Sequence, residues 1–207
     1  SISLNNDSQL DGTSIIDAIL NCRNLHTLKL ANMVINKISI KKLRKLPPNM
    51  RELSFANVRA SFLTEFSKMI ELYAPTLQRL TLNNLHSMKG HDKQYLDSII
   101  ALLNKCSNLT LLNFNCKERR LSEKLVSAIK QLTHLEELYL NESGIVVDDL
   151  IQLIPHFPNL CVLHAQQNNF SYNLEKVNEL LTIAMPQLQE LNLSKCFSYE
   201  EIAKIAK

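Results

Sequence analysis

Leucines set at uneven but repeated intervals constrain this chain more than any other feature. In LQELNLSKC, residues 188–196, leucine stands first, fourth and sixth, and cysteine ninth. An amphipathic helix repeats its apolar residues every three to four positions, and a half-buried strand every two. Neither accounts for intervals of three, two and three. The pattern recurs in LHTLKLANM from Leu25, MRELSFANV from Met50, LQRLTLNNL from Leu77, LTLLNFNCK from Leu109, LEELYLNES from Leu135 and LCVLHAQQN from Leu160. Successive copies start 25, 27, 32, 26, 25 and 28 residues apart, a period that signals a solenoid. Ile2 and Leu4 fit the fourth and sixth places of a partial earlier copy.

The intervals have a physical reason. The fourth and sixth residues lie two apart, so in a strand both face inward, and the third, fifth and seventh face the other way. The first leucine sits in the turn leading into the strand, and the ninth residue where the chain leaves it. Between copies, TSIIDAILNC, FLTEFSKMIELY, YLDSIIALLNKC, EKLVSAIKQL, DDLIQLI and EKVNELLTIAM carry helical periodicity. Ser122 is placed as a helix N-cap, and Ser198 as another with Glu201 completing a capping box. Pro47, Pro48, Pro75, Pro158 and Pro186 fall between helix and strand, where they stop the helix. One copy buries too little surface to be stable alone, and stacking gives a continuous core. Strands stack about 4.8 Å apart and helices roughly 8–10 Å apart, so the stack should bend. The expectation is an α/β solenoid of horseshoe form, with a parallel sheet on the concave face and helices on the convex face. It would be a single domain over residues 1–207, with about seven full repeats and a partial N-terminal one. The start in mid-pattern, without Met, reads as a piece of a longer protein.

These nine-residue segments resemble leucine-rich repeats over nearly the whole chain. The periods and long helices are similar to the ribonuclease-inhibitor-like and cysteine-containing subclasses. Cys22 and Cys106 each precede a first leucine by three, as in the latter. The resemblance implies a protein–protein interaction module that holds a partner protein on the concave face. The irregular repeat lengths and abundant Lys and Asn resemble the repeat domains of secreted bacterial effectors, which grip a host protein in the host cytosol. The alternative is the substrate-recognition domain of an F-box-type ubiquitin ligase, whose F-box would lie outside this sequence.

The places facing away from the leucines supply the candidate site: Lys29, Glu52, Arg79, Thr81, Leu111, Asn113, Glu137, Tyr139, Asn141, Val162, His164, Gln166 and Asn192. Its expected centre is Tyr139 beside His164, because tyrosine joins contact area to a polar tip. Catalysis is not expected. The sheet is open, no Ser or Cys nucleophile has an evident base, and Cys161 and His164 point to opposite faces. His86, His91 and Asp92 lie in the longest repeat, where an exposed loop is expected rather than a metal site, and no cofactor is implied. Five cysteines without paired CxxC spacing point to reduced thiols and the cytoplasm. A net charge of +3 does not imply nucleic acid, and no apolar run is long enough for a membrane span. Residues 1–104 hold 13 basic and 8 acidic residues, and the remainder 10 and 12. KKLRK, residues 41–45, is the densest basic run and is assigned to a helix surface. Exposed core at the repeat ends would permit dimerisation.

Overall fold

The computed structural model describes residues 1–5, 13–60, 63–87, 93–115, 121–170, 174–182 and 185–197. They fall into two compact units, Ser1–Leu109 and Thr110–Lys207. The expected Ser198–Glu201 capping box and the His91–Asp92 pair lie outside the described residues.

The first unit runs β1 (Ile2–Asn5), α1 (Thr13–Leu20), β2 (Thr27–Ala31), β3 (Val34–Ile35), α2 (Lys37–Leu43), β4 (Glu52–Ala56), β5 (Arg59–Ala60), α3 (Leu63–Glu71), β6 (Arg79–Asn83), β7 (His86–Ser87) and α4 (Lys93–Leu103). Strands β1, β2, β4 and β6 pair in that order, all parallel. Each pairing aligns fourth place with fourth and sixth with sixth, as Leu28↔Leu53↔Leu80 and Leu30↔Phe55↔Leu82. The leucine interval is therefore a register device. A slip of one residue would turn every leucine outward.

The second unit runs β8 (Leu111–Asn115), α5 (Glu123–Lys130), β9 (Glu137–Tyr139), α6 (Val147–Leu153), a 3₁₀ turn (Ile154–His156), β10 (Val162–His164), α7 (Leu174–Thr182) and β11 (Glu190–Asn192). Its four strands pair in sequence order, again parallel and in repeat register.

The core lies on the leucine side. First, fourth and sixth residues are buried in the six copies from Leu25 to Ala165. In the last copy Leu188, Leu191 and Leu193 are half-buried, since β11 pairs only with β10 among the described residues. Helices add the other wall. Phe55 of β4 meets Phe66 of α3 edge-on, ring centroids 4.7 Å apart. Tyr73 is buried, its hydroxyl donating to the Leu43 carbonyl at 2.6 Å. The hydroxyl of Ser122 accepts from the Leu125 N–H at 3.3 Å, so the expected cap of α5 is present.

Two features of the strand exits were not expected from the sequence. Every described eighth residue is left-handed: Asn32, Asn57, Asn84, Glu142, Gln167 and Lys195 have φ between 50° and 61°. That conformation turns the chain out of the strand and aims the eighth N–H at the next repeat. Asn32 N donates to the Ala56 carbonyl and Asn57 N to that of Asn83, both at 2.9 Å. Glu142 and Gln167 repeat the bond in the second unit.

The ninth place then divides the units. In the first it is apolar, with Met33 and Val58 buried, and the chain continues into β3, β5 and β7, a second small parallel sheet. Among the described residues of the second unit it is Ser143, Asn168 and Cys196, all buried, and their side chains take the place of the second sheet. Asn168 Oδ1 accepts from the N–H groups of Ser143 and Gly144 at 3.1 and 3.0 Å. Its Nδ2 donates to the carbonyls of Leu140 and Ala165, both at 2.8 Å. Cys196 Sγ reaches the Ala165 carbonyl at 2.9 Å. Both arrangements satisfy buried backbone groups that would otherwise be orphaned.

Candidate functional site

Strand register gathers side chains from distant repeats into rows. In the second unit, Asn113, Tyr139, His164 and Asn192 form one row at the fifth place. Leu111, Glu137, Val162 and Glu190 form the adjacent row at the third place. Tyr139 and His164 lie side by side as expected and meet edge to face, centroids 4.8 Å apart and planes at 78°. This arrangement sets the positive edge of one ring against the negative face of the other.

The pair is braced at both sides. Tyr139 donates its hydroxyl hydrogen to Glu137 Oε2 at 2.9 Å. His164 Nε2 lies 2.7 Å from Glu190 Oε1, a diagonal contact to the next strand. A carboxylate only accepts, so Nε2 carries the proton in this bond. The His164 side chain is 16% exposed and that of Glu190 59%. The ring is thus held between Tyr139 and a carboxylate that faces water.

In the first unit, Lys29 Nζ meets Glu52 Oε1 at 2.7 Å, and Arg79 Nε approaches the same oxygen at 3.8 Å. Glu52 and Arg79 share the third-place row, and Lys29, at the fifth place of the preceding repeat, reaches Glu52 diagonally. Thr81 pairs with Ser54 at the fifth place and is half-buried.

Three expected contact residues behave differently. Leu111 holds an outward place but is 8% exposed. Its strand neighbour is Glu137, and an apolar side chain gains by lying under its neighbours rather than standing in water. Asn141 accepts from the Gln166 N–H at 2.8 Å through Oδ1, and Asn192 does the same for Ser194 N at 3.1 Å. Those two amides shape the strand exits. Sequence reasoning also missed Glu190, the partner of His164, although it holds the same third place as Glu137.

Cysteine chemistry follows burial. Cys106 is fully buried, and loss of solvent pushes its thiol up to about 12. Burial raises Cys196 as well. Cys22 is exposed. Among the described residues no group of three or more His, Cys, Asp and Glu side chains could hold a metal ion.

No family model matches the sequence, and no curated protein matches it. Solved structures do. An internalin, InlF of Listeria monocytogenes, has a TM-score of 0.55 and 18% identity over 89% of this chain and 51% of its own. The TLR13–ssRNA13 complex gives 0.52 and 23% identity over 90% of this chain and 27% of TLR13. This chain thus spans about half the length of the first and about a quarter of the second. Both are leucine-rich-repeat proteins, and with the parallel strands and intervening helices they establish the fold as an α/β leucine-rich-repeat solenoid.

Proposed function

We propose that the chain is a protein-recognition module that seats its partner on the sheet face opposite the leucines, with Tyr139 and His164 at the centre of the second unit's share. The observation that carries this reading is the division of labour within each strand. Leucines take the burial, while the residues between them, apart from Leu111 and Asn115, stay at least partly exposed and in register across repeats. Such a face can change its side chains without touching the core. It is also preformed, so docking orders little that is not already ordered. Tyr139 and His164, held by Glu137 and Glu190, lose little rotamer freedom on contact.

TLR13 is described with a single-stranded RNA. A nucleic-acid ligand suits the second unit's face poorly. Its third, fifth and seventh places carry Glu137 and Glu190 and no Lys or Arg, so phosphates would meet carboxylates rather than counter-ions.

As a finer reading, the module is the target-gripping part of a secreted bacterial effector acting in the host cytosol. Its irregular repeat lengths and Lys- and Asn-rich composition support this. A role as the substrate reader of an F-box-type ligase would use the same face. Flanking sequence separates them: a translocation signal supports the first and an F-box the second.

The test pairs affinity with stability. Tyr139→Ala and His164→Ala should each leave the thermal midpoint nearly unchanged and weaken a captured partner by about 2 kcal/mol, roughly 30-fold. Unchanged affinity in a folded double variant would remove this patch from the interface.

A further inference from the structure

The helical side of the first unit carries a charge that the sheet face does not explain. Lys37, Lys41, Lys42, Arg44 and Lys45 fall within nine residues, with no carboxylate among them. Lys37, Lys41 and Lys42 belong to α2, Arg44 is its C-cap, and Lys45 is the next residue. Ser39, Ile40 and Leu43 are buried, as is Leu46. With about 100° of turn per residue, Ser39, Ile40 and Leu43 fall on one side of α2. Lys37, Lys41 and Lys42 lie on the other side with Ile38, and Arg44 and Lys45 follow at the C-terminal end. Lys37, Lys41, Arg44 and Lys45 are exposed, and Ile38 is 58% exposed. Lys42 meets Asp17 of α1 at 2.6 Å.

Local stability accounts for part of this. Cations in the last turn complement the negative end of the helix dipole, which covers Lys41, Lys42 and Arg44. Lys37 stands in the first turn, where a positive charge is unfavourable, and that turn has no acidic residue. Ile38 adds an alkyl group in water where the neighbouring helix surface needs none.

We propose that α2 is a docking site for a bilayer surface containing anionic phospholipid. The sign of the charge selects an anionic partner, and a cluster of four to eight Lys and Arg on an amphipathic helix is what an anionic leaflet attracts. Ile38 selects lipid over an acidic protein. A branched alkyl group among cations fits the headgroup boundary, where the alkyl group enters and the charged ends stay with the phosphates. No aromatic residue interleaves the cations, as stacking on bases would require. The association is peripheral, since no described helix is long and apolar enough to cross a membrane. It uses the helical side and does not depend on the partner proposed for the sheet face.

Co-sedimentation of the intact chain with vesicles tests it. Vesicles of phosphatidylcholine mixed with phosphatidylserine should carry the protein down, and vesicles of phosphatidylcholine alone should not. Raising the salt should weaken binding by about tenfold or more as screening shortens. Charge reversal, Lys41→Glu with Arg44→Glu and Lys45→Glu, should abolish binding. The milder Lys41→Gln with Lys45→Gln should weaken it severalfold without altering the fold. Ile38→Ser should weaken binding and leave its salt dependence in place. Equal binding to both vesicle types, or no binding to either, overturns the proposal using the unmodified chain alone. Binding of a poly-glutamate peptide without vesicle binding overturns it in favour of an acidic protein. Either failure leaves the sheet-face reading standing, because that reading is tested at Tyr139 and His164.

Discussion

Asn168→Ala should be among the most damaging single changes outside the apolar core. Asn168 is 2% exposed, so water does not replace what its amide supplies. The substitution removes the acceptor for the Ser143 and Gly144 N–H groups and one donor to each of the Leu140 and Ala165 carbonyls. The losses are unequal. The Leu140 carbonyl still accepts from Ser143 Oγ at 2.7 Å, and that of Ala165 from Cys196 Sγ at 2.9 Å. The two N–H groups are left without the oxygen that faced them. A buried donor so orphaned costs about 1–3 kcal/mol, which applies in full to Ser143 and in part to the half-buried Gly144, so the variant should lose roughly 1–4 kcal/mol. That is a large fraction of the roughly 5–15 kcal/mol that holds a domain folded. Guanidinium unfolding followed by circular dichroism would measure it, with Asn113→Ala on the outward face as a near-neutral control. Asn168→Asp should fall between them, since it keeps the acceptor and loses the donor. A loss below about 1 kcal/mol for Asn168→Ala would mean that the exit is held by backbone packing, and the account of the ninth place would fail.

The remaining predictions concern the eighth place, a buried phenol and the outward patch. Asn57 has φ 52° and donates to Asn32 Oδ1 at 3.0 Å. Asn57→Ala should cost about 1–2 kcal/mol and Asn57→Gly less; both lose the side-chain bond, so equal losses in chemical denaturation would deny that left-handed strain matters. Tyr73 and Cys106 have folded values of about 12, raised from 10.0 and 9.0 by burial. The unfolded chain therefore ionises first, and stability should hold below about pH 9 and decline from there to about pH 12. Denaturation midpoints across that range check this, and Tyr73→Phe should flatten the part above about pH 10. At the outward patch, Glu190→Gln should disturb the His164 contact without lowering the melting temperature measurably, because an exposed pair contributes little; a marked drop would show that Glu190 belongs to the fold.

The strand cores were legible because one physical demand fixes them. An inward residue at the fourth and sixth places must be apolar in every copy, and even Ala165 keeps that rule. Tyr139 beside His164 followed directly, since parallel register converts place in the repeat into place in the row. Helix α2 was harder to read. KISIK alternates like a strand, and the helix rests on the Asn36 cap, whose side chain accepts from Ser39 N at 2.9 Å. The two-residue strands β3, β5 and β7 leave no periodicity to detect. The left-handed eighth place was half visible. Asparagine tolerates that conformation and stands there in Asn32, Asn57 and Asn84, but Glu142, Gln167 and Lys195 hide the rule. The structural work of Asn141 and Asn192 was invisible, because an outward place does not reveal whether a side chain accepts from backbone, be it the next repeat's, as for Asn141, or its own, as for Asn192.

The two kinds of strand exit also explain why the second unit favours a defined outward patch. Where the ninth residue is apolar, the strands run five residues and a second sheet follows. Where it is Ser, Asn or Cys, β9, β10 and β11 stop at the fifth place. The turn then begins two residues beyond Tyr139, His164 and Asn192. A side chain on the last paired residue is fixed by the ladder on one side and open to solvent beyond the turn on the other. It can therefore be both ordered and reachable, which a contact residue must be if it is to bind without a large entropic cost. Restoring a long strand should weaken this. Asn168→Val would place a Val58-like residue at the ninth place and remove the amide that holds the turn. If ninth-place chemistry sets the patch, nuclear magnetic resonance shifts of Tyr139 and His164 should change in that variant. Unmoved shifts in a folded Asn168→Val chain would separate the exit from the site.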